Sequence, residues 1–165
     1  MTPILMWPDK RLSTPAAPVE AITQDVRAHW KQMIDVMEAM PGVGLAAPQL
    51  GIMLRLAVVD ASEQRGRAVM LANPEIVEAS ETLFSHVEGS PCLPGVAAKL
   101  SRPERVRVRF LNEAGERETR AFSGLWSTSV QHQIDHLNGQ LYVQRLSPTR
   151  RKMLMKKWSK HRERG

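Results

Sequence analysis

Residues 131–139 read QHQIDHLNG, and the meaning of this stretch decides how the rest of the chain is read. His132 and His136 are four apart. On a helix that spacing stacks two imidazoles one turn apart on a single face. In the form H-E-x-x-H such a pair holds a metal ion, and the Glu between them serves as general base. Here the second position is Gln133, and a carboxamide is no base at neutral pH. The pattern is that of a metallohydrolase helix without its base. Asn138-Gly139 ends it with a helix stop.

Working outward, LWSTSVQHQIDHL at 125–137 reads as a buried helix, followed from about Pro148 by a last helix. Before it, RVRVRFL at 105–111 alternates basic and apolar residues as a half-buried strand does. NEAGE at 112–116 is a turn, and RETRAFS returns as the partner strand. Further strands are expected at 54–60, at 68–74 and around 76–88. Thr23 offers an N-cap to a helix with Val26, Trp30, Met33, Ile34 and Met37 at helical spacing, a core stripe. Four prolines keep residues 1–22 irregular. The order of elements predicts an α+β class, with antiparallel sheet around the central H-x-x-x-H helix.

A chain of 165 residues suits one domain, 1–165. No apolar run approaches the ~20 residues that cross a bilayer, and a single cysteine excludes an internal disulfide. A cytoplasmic protein with no membrane association is the expectation. Residues 150–165 carry eight of the 23 Lys and Arg and one of the 17 Asp and Glu. That is a local +7 in a chain of net +6, which leaves −1 for the rest. The tail therefore suits either a polyanion such as RNA or plain solvation.

Two further segments carry chemistry. GVGLAAPQ at 42–49 is a Gly-rich loop in which Gly42 and Gly44 let backbone approach a ligand and Gln49 offers an amide N–H to an oxyanion. EGSPCLPG at 88–95 carries the lone cysteine between two prolines. With QHQIDH, in this order and spacing, these segments resemble the three signatures of the peptide deformylase family, G-x-G-x-A-A-x-Q, E-G-C-L-S and H-E-x-D-H. ILMWPDKRLSTPAAPV, LANPEI and QHQIDHLNGQLYV are similar to the family as well. The resemblance covers essentially the whole chain.

The resemblance implies a deformylase-like α+β fold and removal of the formyl group from the N-terminal methionine of new polypeptides. It implies a divalent metal, iron or zinc, held by the motif Cys and by His132 and His136. It puts Gln49 on the oxyanion and Gln133 at the position of the general base. A proton-transfer group of that kind is worth ~10²–10⁴-fold in rate. Gly42, Gly44, Leu45, Pro91, Cys92, Thr128 and Ser129 fall in the substrate-binding segments, with Thr128 and Ser129 making the methionine pocket more polar. Ala97 stands where many members have an Arg near the substrate backbone.

The second motif aligns in two registers. Without gaps, Ser90 takes the metal-cysteine position and Pro91 the place of the Leu whose N–H serves the oxyanion; a hydroxyl is a poor ligand and proline has no N–H. Shifted by two, Cys92-Leu93 supplies both. If 88–95 is a strand, Cys92 shares a face with Ser90 but sits ~6.6 Å along it, against a Zn–S bond of ~2.3 Å. The gapless register keeps Pro94, Gly95 and Arg102-Pro103 aligned.

Two functions follow. One is a deformylase relative whose activity is lost or strongly reduced, keeping a cleft for an N-terminal (formyl-)methionine peptide. The other is an active metal-dependent deformylase or related N-acyl amide hydrolase that uses Cys92, His132 and His136. Asp135 lies about 200° round the helix from Gln133 and suits a supporting role. The resemblance further implies a monomer acting on nascent chains, with the 150–165 helix docking on the ribosome.

Overall fold

A computed structural model describes residues 2–164. Its elements are α1 (Gln24–Ala39), β1 (Gly44–Ala46), β2 (Leu56–Val59), β3 (Val69–Ala79), β4 (Leu83–Glu88), β5 (Ala98–Pro103), β6 (Arg105–Leu111), β7 (Arg117–Ser123), α2 (Leu125–Leu137) and α3 (Pro148–Arg164). Five strands form one antiparallel sheet in the order β1-β2-β3-β6-β7, and β4 pairs with β5 in a second, two-stranded sheet. The architecture is the α+β arrangement expected.

The run LAVV in β2 has no polar member because both of its faces are covered. Leu56 and Val58 point to α1, where they pack with Trp30, Met33 and Met37. Ala57 and Val59 point the other way, into the cluster that holds Val130, Ile134 and Leu137 of α2. The sheet is therefore sandwiched, with α1 on one side and α2 on the other. The Thr23 hydroxyl accepts the Val26 N–H and starts α1 as its sequence predicts. At the far end of α2, Gly139 adopts φ 76°. A Cβ there would lie 2.9 Å from the Ser13 backbone, so the stop at Asn138-Gly139 also accommodates the N-terminal segment.

Three segments differ from their sequence reading. GVGLAAPQ is not a free loop: Gly44–Ala46 pairs with β2 as strand β1, and a 3-10 turn follows at Ala47–Leu50. β5 has no counterpart among the expected strands. Its inward residues are Leu100 and Arg102, so a buried arginine hides the apolar alternation. Finally, 88–95 is not a strand beyond Glu88. The Leu93 N–H donates to the Ser90 carbonyl at 3.0 Å, closing a turn with Pro91 at the position that favours proline.

Helix α3 packs Leu154 and Trp158 into a third cluster with Cys92, Leu93, Leu100 and Tyr142. Both side chains are buried, so neither is free to stack on a nucleic-acid base. The rest of the helix presents its Lys and Arg side chains outward. No helix among the described residues is long and apolar enough to cross a membrane.

Candidate active site

Helix α2 is buried along nearly its whole length and aims polar groups in two directions. On one side it enters a network of charges. Arg102, 1% exposed, donates Nε and Nη2 to both oxygens of Glu88 at 2.6 and 2.8 Å. It also donates Nη1 to Asp135 at 3.0 Å, and Arg145 grips the same carboxylate with two bonds of 2.6 and 2.7 Å. Asp135 thus has the supporting role its helical position implied. Burial of Glu88 acts to raise its pKa. The hydrogen bonds from His132 and Arg102 outweigh that and hold it at about 2.

An ionised Glu88 can only accept, so the 2.9 Å contact with His132 puts the ring proton on Nδ1. Tyr142 stacks on the same ring, centroids 5.9 Å apart. Desolvation, with the negative Glu88 nearby, pushes the Tyr142 hydroxyl up to about 12. His132 is therefore fixed in orientation from behind.

On the other side α2 forms a wall of a cavity of about 260 Å³. Leu125, Thr128, Ser129, His132 and Gln133 line it, facing Met40–Gly44, Gln49, Val87, Glu88 and Pro91. Gly44 is required here, because a Cβ would sit 2.5 Å from Gln133 Nε2 and 2.6 Å from Ser129 Oγ. The Ser129 hydroxyl is spent on the Val43 carbonyl at 2.7 Å.

Of the residues the sequence singled out, Gln49, Gly42, Gly44, Pro91, Thr128, Ser129, His132 and Gln133 meet at this cavity. Two do not line it. Leu45, read as substrate-binding, is fully buried in the α1 cluster, because β1 turns its side chain away from α2. Cys92 is fully buried behind Pro91 and packs with α3. Burial pushes its thiol pKa up and keeps it protonated.

Gln49 is held at both ends. Its Oε1 accepts the Ala46 N–H at 2.9 Å, and its Nε2 lies 3.6 Å from Cys92 Sγ. The Ser90 hydroxyl accepts the Cys92 N–H at 3.2 Å. Neither register of the second motif leaves the second oxyanion donor intact. Pro91 has no N–H, and the Leu93 N–H is committed to its turn.

His136 is the most enclosed group of the site. The rings of His132 and His136 are 5.0 Å apart, close enough to share one ion. Burial, with His132 and Arg102 nearby, drives the His136 pKa well below its ordinary value and keeps the ring neutral. Neither of its ring nitrogens has a hydrogen-bond partner, and Gln133 Oε1 and Thr128 Oγ1 share that condition. Two imidazoles on one helix face suit a metal, but the donor set ends there. Among the described residues no three His, Cys, Asp or Glu side chains come together as a metal centre. The third place falls to the neutral Ser90 hydroxyl or to a thiol lodged against Gln49. These residues do not fit the three-ligand centre that the resemblance implied.

The sequence reading gave no role to Glu88, Arg102, Arg145 or Tyr142. The signal for Glu88 was in plain view, at the head of EGSPCLPG. Arg102 was findable only as the inward member of an alternating pair with Leu100.

Comparison with known proteins agrees with the fold. A family model described as polypeptide deformylase matches residues 1–152. A peptide deformylase of Teredinibacter turnerae is 41% identical over 166 residues, covering 100% of this chain and 99% of its own length. A protein of Bradyrhizobium diazoefficiens named peptide deformylase-like is 38% identical, covering 96% of this chain and 92% of its own. The crystal structure of a peptide deformylase from Legionella pneumophila superposes with a TM-score of 0.91 at 37% identity, over 99% of this chain and 96% of that one. The peptide deformylase of Ehrlichia chaffeensis in complex with actinonin gives 0.90 at 32% identity, over 98% and 97%.

Proposed function

The chain belongs to the polypeptide deformylase family, and from that premise we propose that it keeps the family's cleft for an N-terminal (formyl-)methionine peptide while its deformylase activity is lost or strongly reduced. One observation carries the reading. Among the described residues, no third His, Cys, Asp or Glu joins His132 and His136 as a metal-ligand set, which supports a centre that cannot act on a formamide.

Two other features support it. Gln133 stands at the base position with its Oε1 unpaired. It can donate or accept a hydrogen bond, but it cannot take a proton from water and pass it to a leaving amine. Of the two oxyanion donors, Gln49 remains. Losing one such donor costs ~2.7–4 kcal/mol of transition-state stabilisation. What persists is recognition: a shaped cavity, a fixed His132 and a carboxamide that can meet a carbonyl oxygen.

One observation favours the active reading instead. His136 has two unpaired ring nitrogens in a fully buried setting, a costly arrangement that a metal ion would relieve. Metal analysis of freshly purified protein separates the two. The proposed reading expects zinc or iron far below one per chain after dialysis. Near-stoichiometric metal that is lost on Cys92→Ala would support the active hydrolase.

The reading has the protein act as a cytoplasmic monomer near the nascent chain, where the lone, reduced cysteine is at home. The exposed basic face of α3 is its docking surface for ribosomal RNA. Binding should then fall steeply between low and moderate salt, as each phosphate contact releases counterion. Equal cosedimentation with ribosomes by the full chain and a chain ending at Pro148 would refute the docking role.

A further inference from the structure

We propose that Arg65 is a positioning residue of the cleft: from outside the cavity it holds the Gly42 wall in place for a bound peptide N-terminus. The inference rests on the reading of the cleft as a peptide site and adds what keeps that site in shape.

The wall facing α2 is the turn at 40–44, between α1 and β1. Sheet pairing begins only at Gly44, opposite Val59. Before that residue the wall hangs on the segment that follows β2. The Val43 carbonyl accepts the Asp60 N–H at 2.9 Å and the Ser129 hydroxyl at 2.7 Å. The Gly42 carbonyl, one residue further from the sheet, accepts Arg65 Nη2 at 2.6 Å. Arg65 itself does not line the cavity and acts through Gly42.

The guanidinium serves three segments at once. Nε donates to Glu38, in the last turn of α1, at 3.2 Å, and Nη1 donates to the Asp60 carbonyl at 2.9 Å. Asp60 is an anchored residue. It is fully buried, and its carboxylate accepts the N–H groups of Ser62 and Arg67 at 2.9 Å each. The loop 60–67 is thereby closed on itself, and Arg65 is the arm it extends to the wall.

The backbone points to the side chain as the reason for an arginine here. Arg65 has φ 62° and Gly66 follows at 69°. A left-handed turn suits Gly or Asn, and a long side chain is uncommon there. Such strain persists where the surroundings over-determine it, as in ligand clamps. Three acceptors matched to a planar fork are surroundings of that kind, and a compact lysine ammonium does not replace the fork. Loss of the arm frees Gly42 while Val43 keeps both of its donors. The fold survives, and the wall has to be ordered again on each binding event, which weakens affinity.

The test is calorimetric titration of the full chain with formyl-Met-Ala-Ser, with thermal unfolding alongside. Arg65→Asn, which accepts the left-handed turn and removes the guanidinium, should weaken binding roughly tenfold. Arg65→Lys, which keeps the charge without the fork, should also bind more weakly than the wild type. Millimolar methylguanidinium should restore affinity to Arg65→Asn and leave the wild type unchanged. A loss of affinity that merely followed a loss of stability would not respond to it. Wild-type affinity in either variant, or a loss in Arg65→Asn that methylguanidinium does not repair, overturns the inference and leaves the peptide cleft standing. If the wild type does not bind formyl-Met-Ala-Ser, the cleft reading fails and this inference fails with it.

Discussion

The two sides of helix α2 are built to opposite standards. On the Asp135 side, Glu88, Arg102, Asp135 and Arg145 form a chain of ion pairs with all four carboxylate oxygens engaged. On the other side, Thr128 Oγ1, Gln133 Oε1 and both nitrogens of His136 are buried without a hydrogen-bond partner among the described residues, Thr128 and Gln133 beside the cavity and His136 beneath it. The two sets share one rigid helix. The closed side holds α2 to β5 and to the turn before α3, and it would do so whatever the cavity contains. The open side is where a ligand has to complete the structure. Substitutions such as Gln133 for Glu can therefore accumulate on the open side without loss of the fold.

Breaking the closed side should have the largest effect. Arg102→Leu leaves Glu88 and Asp135 buried without their shared cation, and removing one partner of a buried ion network costs about 3–5 kcal/mol. Urea unfolding should show that loss. A loss under 1 kcal/mol would mean the network is ornamental.

Acid should act on the same side with slightly smaller effect. The Glu88 pKa is depressed from 4.5 to about 2, so its contribution is fully present above the unfolded value. It is lost as the pH falls through the folded one. The shift corresponds to about 3 kcal/mol, an upper figure for a coupled network. Stability should fall between pH 4.5 and 2 in the wild type, and Glu88→Gln should flatten that part of the profile. An unchanged slope in Glu88→Gln would place the acid sensitivity elsewhere.

On the open side, catalysis should return only as a unit. Gln133→Glu alone leaves formate release at the level of buffer, because base, thiolate and oxyanion donor do not act additively. Ser90→Cys, Pro91→Leu and Gln133→Glu together should raise it by ~10²-fold or more. Rescue by Gln133→Glu alone would show that Cys92 already serves a working metal site. The smallest effect should come from Gln133→Leu. It removes a buried unpaired carbonyl oxygen and so should leave stability unchanged or raise it by about 1 kcal/mol. A large loss there would mean that Gln133 has a structural partner.

The fold was legible where local signals agree with tertiary demand. The α1 stripe, the β6–β7 hairpin and the α2 helix with its Gly139 stop follow from period and turn chemistry alone. β5 was not legible, because its inward side chain at 102 is an arginine whose partners lie 14 and 33 residues away. No local pattern encodes such a pairing. The extended geometry considered for 88–95 does not hold at 90–93, where Pro91 favours the turn closed by the Leu93 N–H on the Ser90 carbonyl. At the site, the residue types were readable and their state was not. That Gln49 is clasped by Ala46 and Cys92, or that Leu45 faces α1, depends on which way β1 is rolled. Only the sheet register fixes that.

The proposed function has the cavity side of α2 recognise a peptide and not hydrolyse it. Its most direct test is the initial rate of formate release from formyl-Met-Ala-Ser by freshly purified protein, assayed under anaerobic conditions with ferrous iron or zinc supplied. The rate should be indistinguishable from that of metal and buffer alone. A turnover with kcat/KM of ~10⁴ M⁻¹s⁻¹ or above, within the range of ordinary enzymes, would contradict it.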